Sequence, residues 1–337
     1  MDWFERLTGF SEQNYAHTRQ RLEVKGGKLR SQVNGKSYDV GELELVSLQR
    51  LRERVSVGGG LSGRLKVGVV RGDVRVLHRA PENAGALFQV ASQFNLLEMT
   101  SPSITPEEGV TRYQEDGTQG PACAIAAGAA TIYRNYFAPI GGMAGQTSNR
   151  QLDGLADLGE MLADALGKPV KALWSMRNGY ALCTSDGLNL ISAYLGTLSL
   201  EQTDALREKL CIGVHSNVEV TDQPAAQSIR VSQAFCSALP VAYSQVPAAR
   251  WAPFASLVLE AAYEATMWAA VLNAQRTGSN TVLLTRLGGG VFGNHADWID
   301  AAMRRSFRLA IGFGLDVQPV SFGPPSREIF ELVADFG

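Results

Sequence analysis

Two hydrophobic rhythms run along this chain, and they meet most plainly between Asn280 and Phe313. Thr281–Thr285 is apolar and rich in strand formers, which predicts a strand. Gly288, Gly289, Gly290 and Gly293 follow. Asn294 is placed to cap the next helix and Asp297 to sit in its first turn. Ile299, Met303, Phe307 and Ile311 then recur at helical spacing, so the unit reads strand, glycine loop, helix. Such a unit suits an anion, because glycines let the backbone approach a ligand and a helix start offers unpaired N–H groups. The competing reading is a turn that only joins two elements. The loop is neither GxGxxG nor a GxxxxGK[ST] phosphate loop.

The same rhythms organise the rest. Trp3, Phe4, Leu7 and Phe10 form an aromatic start, Asn34-Gly35 marks a hairpin within Lys28–Leu45, Glu42–Arg54 reads as a helix, and Gly58-Gly59-Gly60 breaks the chain. Leu65–Val70 and Leu87–Phe94 read as strands, the second leading to Asn95. A long polar loop, Thr100 to Gln119, precedes an alanine-rich helix from Pro121 to about Phe137. Loops of that length commonly bind something. Gly141–Gln146 is a second glycine loop, Leu152–Leu166 an amphipathic helix, Val170–Trp174 and Tyr180–Thr184 a hairpin, and Leu200–Lys209 a short helix. Cys211–Val220 is a strand leading to Asp222, Val231–Tyr243 further apolar structure, Phe254–Gln275 a long helix, and Asp316–Phe322 a last strand. Strands alternating with helices predict an α/β fold, a mixed and mostly parallel sheet flanked by helices. Ligands sit beyond the carboxyl ends of such strands.

Composition narrows the function classes. With 45% hydrophobic and 19% charged residues in 337, the chain is globular with ample core material. A net charge of −2 and no dense basic cluster argue against nucleic acid. The N-terminus lacks a signal layout and no apolar run is expected to span a bilayer, so a cytoplasmic protein without membrane partners is expected; an effector exported without a cleavable signal has the same appearance. Cys123, Cys183, Cys211 and Cys236 are widely spaced and read as free thiols. No His, Cys or Asp cluster has metal-ligand spacing, so neither metal nor cofactor is expected. Cys123 at a helix start, with His78 and His215, raises a Cys–His hydrolase against the simpler reading of a buried cysteine. His295 reads as surface or capping.

Three segments resemble, in order, the macrodomain superfamily, the ADP-ribose-binding fold. Val70-Arg71-Gly72-Asp73-Val74 is similar to its GDI/GDV turn, Val90–Asn95 to its IVNAAN strand end, and Gly290-Val291-Phe292-Gly293-Asn294 to its second phosphate loop. The resemblance covers about residues 65–323. It implies a macrodomain-like domain over 65–337, an N-terminal accessory segment over 1–64, and an insertion at about 141–210. The family's first glycine-rich loop is missing after Asn95, with 109–121 in its place. This places the chain near an atypical branch, resembling bacterial effector hydrolases acting on ADP-ribosylated ubiquitin and the poly(ADP-ribose) glycohydrolases.

The resemblance implies that Asp73 and Val74 meet adenine, that Gly288, Gly289, Gly290, Val291, Phe292, Gly293 and Asn294 hold the diphosphate, and that Asn95, Tyr113 and Gln119 reach the distal ribose. Cleavage at that ribose passes through an oxocarbenium-like state and needs a carboxylate. The candidates are Glu115 and Asp116 in the first loop, and Glu219 and Asp222 after the 211–220 strand. Each has a plainer reading as a solvated turn or a cap. The function expected is removal of ADP-ribose from a mono-ADP-ribosylated protein or a related derivative. The alternatives are a module that only reads ADP-ribose and a scaffold with a decayed pocket.

Overall fold

A computed structural model describes residues 1–58, 61–223 and 228–337. Its central sheet has eight strands. They are β1 (Glu42–Ser47), β2 (Lys66–Val67), β3 (Val70–Arg71), β4 (Leu87–Ala91), β5 (Cys211–Glu219), β6 (Arg230–Cys236), β7 (Thr281–Leu284) and β8 (Asp316–Ser321). The order across the sheet is β1-β5-β6-β4-β7-β8-β2, with β3 also on β8. Pairings from β6 through β4, β7 and β8 to β2 and β3 are parallel, while β1 and β5 are antiparallel neighbours at the other side. The mixed, mostly parallel α/β sheet expected from the sequence is present.

Both sheet faces are covered, which is why the central strands carry nearly continuous apolar runs. Leu87, Ala234, Cys236, Val282 and Leu284 pack under helix α4 (Ala248–Thr277) and helix α5 (Ala296–Leu309). Phe88, Val90, Phe235 and Leu283 point the other way, toward α1 (Val74–Arg79), α2 (Gln119–Ala126) and α3 (Gly128–Tyr136). Helix α4 is long and apolar enough to cross a bilayer by length and composition, which corrects the expectation of no such run. However, 78% of its most apolar window is buried inside the protein. Its buried Glu264 is gripped by Arg52 and Arg305, an arrangement suited to a core helix.

Several element boundaries differ from the sequence reading. Glu42–Arg54 is not one helix. Leu43 and Leu45 alternate with Glu42 and Glu44, the period of a strand, and Ser47 then caps a helix over Leu48–Val57. Residues ahead of 65 thus supply an edge strand, paired along Cys211–Ser216. Gly58 closes that helix; positions 59 and 60 lie outside the described residues. The strand expected to Phe94 ends at Ala91. The alanine-rich helix starts earlier, at Gln119, and breaks at Ala127, where the Thr221 hydroxyl accepts from Gly128 N at 2.8 Å. Leu65–Val70 resolves into two short strands, Gly141-Gly142 turns a small hairpin, and Val170–Leu173 is a helical turn ahead of the hairpin Trp174–Arg177/Tyr180–Cys183. The amphipathic helix begins at Ala156, and a helix over Ser185–Leu195 was not anticipated.

Candidate functional site

The carboxyl ends of β6, β4 and β7 lie nearly level, with Cys236 opposite Ala91 and Leu283 opposite Phe88. The chain segments leaving these ends diverge, and a cleft of about 190 Å³ opens between them. One wall is Ser92, Gln93, Glu98, Met99 and Thr100 after β4; another is Asp116 to Pro121 at the start of α2; a third is Thr285 to Phe292 after β7. Tyr180 and Tyr243 close the side with Phe292, their ring centroids 5.2 to 5.7 Å apart.

The glycine loop is built for close approach. Gly288 takes φ +73°, and a Cβ there would lie 2.4 Å from the Ala238 methyl. Gly289 N, Gly293 N and Asn294 N bond within the loop. Among the described residues, no acceptor meets the N–H groups of Gly290, Val291 and Phe292, and Gly290 and Val291 are exposed. The expectation that Asn294 caps α5 is corrected: His295 holds that position. The Asn294 amide donates to Leu239 O at 2.8 Å, tying the loop to the segment after β6. Ile311, expected to continue the buried face of α5, lies beyond the helix end and is exposed. Arg286 stands at the cleft and pairs with Asp300.

Of the other predicted residues Gln119 lines the cleft, while the rest scatter, for identifiable reasons. Asn95 is fully buried and is not among the residues that line the cleft. Its amide donates to Gln151 Oε1 at 2.9 Å, and its oxygen accepts from Leu97 N at 3.1 Å. The turn at Gly179, within the 141–210 segment, sits directly upon it: a Cβ on Gly179 would lie 2.6 Å from Asn95 Oδ1. Gln119 is held in the fold, its side chain accepting from Ala91 N at 3.0 Å and donating to Gln89 O at 2.8 Å. It thereby serves β4 as a substitute strand neighbour. Tyr113 is buried in the core and its hydroxyl accepts from Glu98 N at 3.2 Å. Asp73 follows β3 at the same sheet edge but away from the cleft walls; it is exposed and caps α1, accepting from Arg75 N at 2.8 Å. Val74 is buried against the sheet.

Of the four carboxylates proposed for catalysis, only Asp116 lines the cleft. Glu115 is exposed. Glu219 and Asp222 belong to the far end, because β5 runs antiparallel: Glu219 faces Arg230, the first residue of β6, whereas the cleft lies beyond its last. The Glu219 carboxylate accepts from Asp39 N at 2.8 Å, and Asp222 pairs with Arg75 at 2.8 Å. Both line a larger, open cavity of about 690 Å³ with Arg6, Lys36 and Arg79. Among the described residues that cavity has no glycine loop.

Sequence reasoning missed Glu98, Tyr180 and Tyr243. The signal for Glu98 was available: it is the one charge in the apolar run Leu96-Leu97-Glu98-Met99. Its side chain is 1% exposed, and Arg134 Nη2 lies 3.6 Å from Oε2, beyond hydrogen-bond length. Neither carboxylate oxygen has a hydrogen-bond partner. Burial pushes the carboxyl up to about 7, outweighing the opposite pull of Arg134.

The Cys–His reading is not supported. Cys123 is buried, its thiol pushed well above the usual range by burial, and it accepts from Gln119 Nε2. His78 is stacked on Phe88 and bonded to Val74 O and Gln233, with burial lowering it to about 4. His215 is buried beside Arg134. Among the described residues no three His, Cys, Asp or Glu side chains are grouped to hold a metal ion.

The loop that carries Asp116 is anchored from the N-terminal segment. The Glu12 carboxylate accepts from Val110 N at 2.8 Å, Thr111 N at 2.7 Å and the Tyr136 hydroxyl at 2.7 Å. Trp3 Nε1 donates to Thr111 O at 3.2 Å.

No protein-family model and no curated protein matches the chain. Solved structures similar to it include poly(ADP-ribose) glycohydrolase from Deinococcus radiodurans in complex with ADP-ribose, at 12% identity and a TM-score of 0.43 over 87% of this chain and 92% of that one. Poly(ADP-ribose) glycohydrolase from Thermomonospora curvata is another, at 14% identity and a TM-score of 0.43 over 96% of this chain and 97% of that one.

Proposed function

We propose that this chain is a hydrolase that removes ADP-ribose from a mono-ADP-ribosylated protein, ubiquitin being one candidate carrier, or from a related ADP-ribose derivative. The observation that carries the reading is one cleft in which unpaired loop N–H groups at Gly290–Phe292 share walls with the carboxylate of Asp116. Loop amides of this kind take a diphosphate. A carboxylate nearby serves bond cleavage at the distal ribose. The enclosed volume of about 190 Å³ is below the roughly 300–1,000 Å³ of pockets that enclose whole ligands. The cleft therefore takes the diphosphate–ribose half, and the adenosine half lies along the open sheet edge toward Asp73. Tilted and edge-on packing of Phe292 with Tyr180 and Tyr243 gives the ribose an apolar wall.

Calorimetric titration with ADP-ribose tests the ligand. Release of ADP-ribose from a mono-ADP-ribosylated protein tests the activity. Binding without release supports the alternative, a module that reads ADP-ribose. No heat and no thermal shift at millimolar ADP-ribose removes both.

A further inference from the structure

We propose that the open cavity between the N-terminal segment and the far end of β5 is a second binding site, one that takes a small phosphorylated molecule with an aromatic body, of the mononucleotide class. It stands apart from the cleft and from the hydrolase reading.

The cavity forms where residues ahead of β1 lean on the sheet. The helix Trp3–Thr8 brings Trp3, Arg6 and Leu7, and the hairpin Lys28–Ser31/Ser37–Asp39 brings Lys36 and Tyr38. The sheet side answers with Arg79 from the last turn of α1, Ile125 from α2, and Glu219 to Asp222 at the end of β5. The volume of about 690 Å³ falls within the roughly 300–1,000 Å³ of pockets that take whole small molecules. A hollow of that size suits such a molecule better than a protein face, which needs a broad patch.

Charge sets the sign of the ligand. Exposed cations are ordinarily solvated singly, whereas here three separate elements deliver Arg6, Lys36 and Arg79 to one hollow. Arg6 Nη1 donates to Met1 O at 3.2 Å and Arg79 Nε to Arg75 O at 3.2 Å. Among the described residues, the carboxylates beside them pair with other cations: Asp222 with Arg75 at 2.8 Å, and Asp39 with Lys28 at 2.9 Å and with Arg230. Glu219 is the one lining acid, among the described residues, that pairs with no cation; its carboxylate accepts from Asp39 N. Three cations against one acid leave two positive charges open. A phosphate monoester carries about −1.5 to −2 at pH 7, which matches them, and guanidinium forks suit its oxygens. Below the cations, Trp3, Leu7, Ile125 and Val220 are buried and Tyr38 is half-buried. They offer an apolar wall to an aromatic body.

The test uses the full chain, labelled with ¹⁵N at its five tryptophan indoles, and AMP as the probe. Trp3 lines the cavity, and among the described residues the cleft is lined by no tryptophan. The Trp3 signal, assigned with Trp3→Phe, therefore reports this site. Millimolar AMP is expected to move it to saturation. Arg6→Gln/Lys36→Gln/Arg79→Gln should weaken binding by about tenfold or more while the other indole signals stay in place. Glu219→Gln should strengthen it by about two- to fivefold, because the opposing charge is gone. A Trp3 signal that does not saturate overturns the proposal. So does a movement that persists unchanged in the triple variant, since it would come from the cleft. Inorganic phosphate binding as tightly as AMP overturns the mononucleotide class, and a glutamate-rich peptide that moves the signal where AMP does not overturns it in favour of a protein partner. If the triple variant does not fold, Glu219→Gln decides: tighter binding supports the site, and unchanged or weaker binding overturns it. ADP-ribose release enters none of these readings, so failure of the hydrolase reading leaves them as they stand.

Discussion

The guanidinium of Arg134 lies 3.6 Å from the carboxylate of Glu98, with 0% and 1% of the two side chains exposed. Removing one member of a buried pair strands the other. Arg134→Met is therefore expected to lose about 3–5 kcal/mol of stability in denaturant unfolding. The double variant Glu98→Gln/Arg134→Met should lose less than the sum of the single changes. The pH sign follows from the raised carboxyl. Stability from this group is full below about 4.5 and is lost as pH rises through about 7. Arg134→Met should accordingly be weaker at pH 8 than at pH 5, relative to wild type. Equal differences at both values would show that Glu98 does not titrate there.

Asp116 and Glu115 are sequence neighbours with different surroundings. Asp116→Asn should lower ADP-ribose release by about 10²-fold or more, because Asp116 alone of the four acids read from the sequence lines the cleft. Glu115→Gln, Glu219→Gln and Asp222→Asn should stay within about threefold of wild type in the same assay. A large loss at Glu219 or Asp222 would move the chemistry to the opposite sheet edge.

Glycines in the 288–293 loop are not equivalent. At Gly288 a methyl meets Ala238 at 2.4 Å on a backbone with φ +73°, so Gly288→Ala should cost about 1–3 kcal/mol and weaken ADP-ribose binding. Gly290 has open space around it, and Gly290→Ala should stay within about 0.5 kcal/mol in thermal unfolding. Equal destabilisation by both would show that this loop geometry is not the one in solution.

Glu264 ties α4 to its neighbours. It is 2% exposed, and Arg52 at 2.6 Å and Arg305 at 2.5 Å reach it, with Trp268 Nε1 at 3.0 Å. Burial opposes its ionisation, yet the bonds from Arg52, Arg305 and Trp268 prevail and hold the carboxyl below the usual range. Glu264→Gln should cost about 3–5 kcal/mol at pH 7. The group's contribution is present above 4.5 and is lost as pH falls through the lowered value. The gap between wild type and variant should therefore close in acid, as followed by denaturant midpoints from pH 7 to pH 3.

Period and turn chemistry made most of the fold legible. The apolar runs at 281–285 and 87–91 and the face Ile299, Met303, Phe307 declare their elements without tertiary knowledge. Asn34-Gly35 does the same for its hairpin. Where the reading slipped, a tertiary partner decided. Glu42–Ser47 became a strand because β5 offers it an edge, and α2 parts from α3 because Thr221 intervenes at Gly128. The site was less legible for a related reason. A motif tells that Asn95 follows a strand, but not that the turn at Gly179 comes from 84 positions downstream to cover it. Likewise, Glu219 and Asp222 end a strand, and only pairing direction reveals which edge that end faces. Glu98 had a local signature, a charge inside an apolar run, but its meaning came from the missing partners around it.

Glu12 gives the first dozen residues a structural duty toward the cleft. Its two oxygens gather donors from Val110, Thr111 and Tyr136, so the anchor of the Asp116 loop is spelled about a hundred positions before the loop itself. Trimming the amino end to make a tidier domain would leave three donors with nothing to grip, and would also strip Trp3, Phe4, Leu7 and Phe10 from the core they share with Ile125, Ile132 and Tyr136. The opening stretch is thus part of the body that carries the loop, and not an appendage to it.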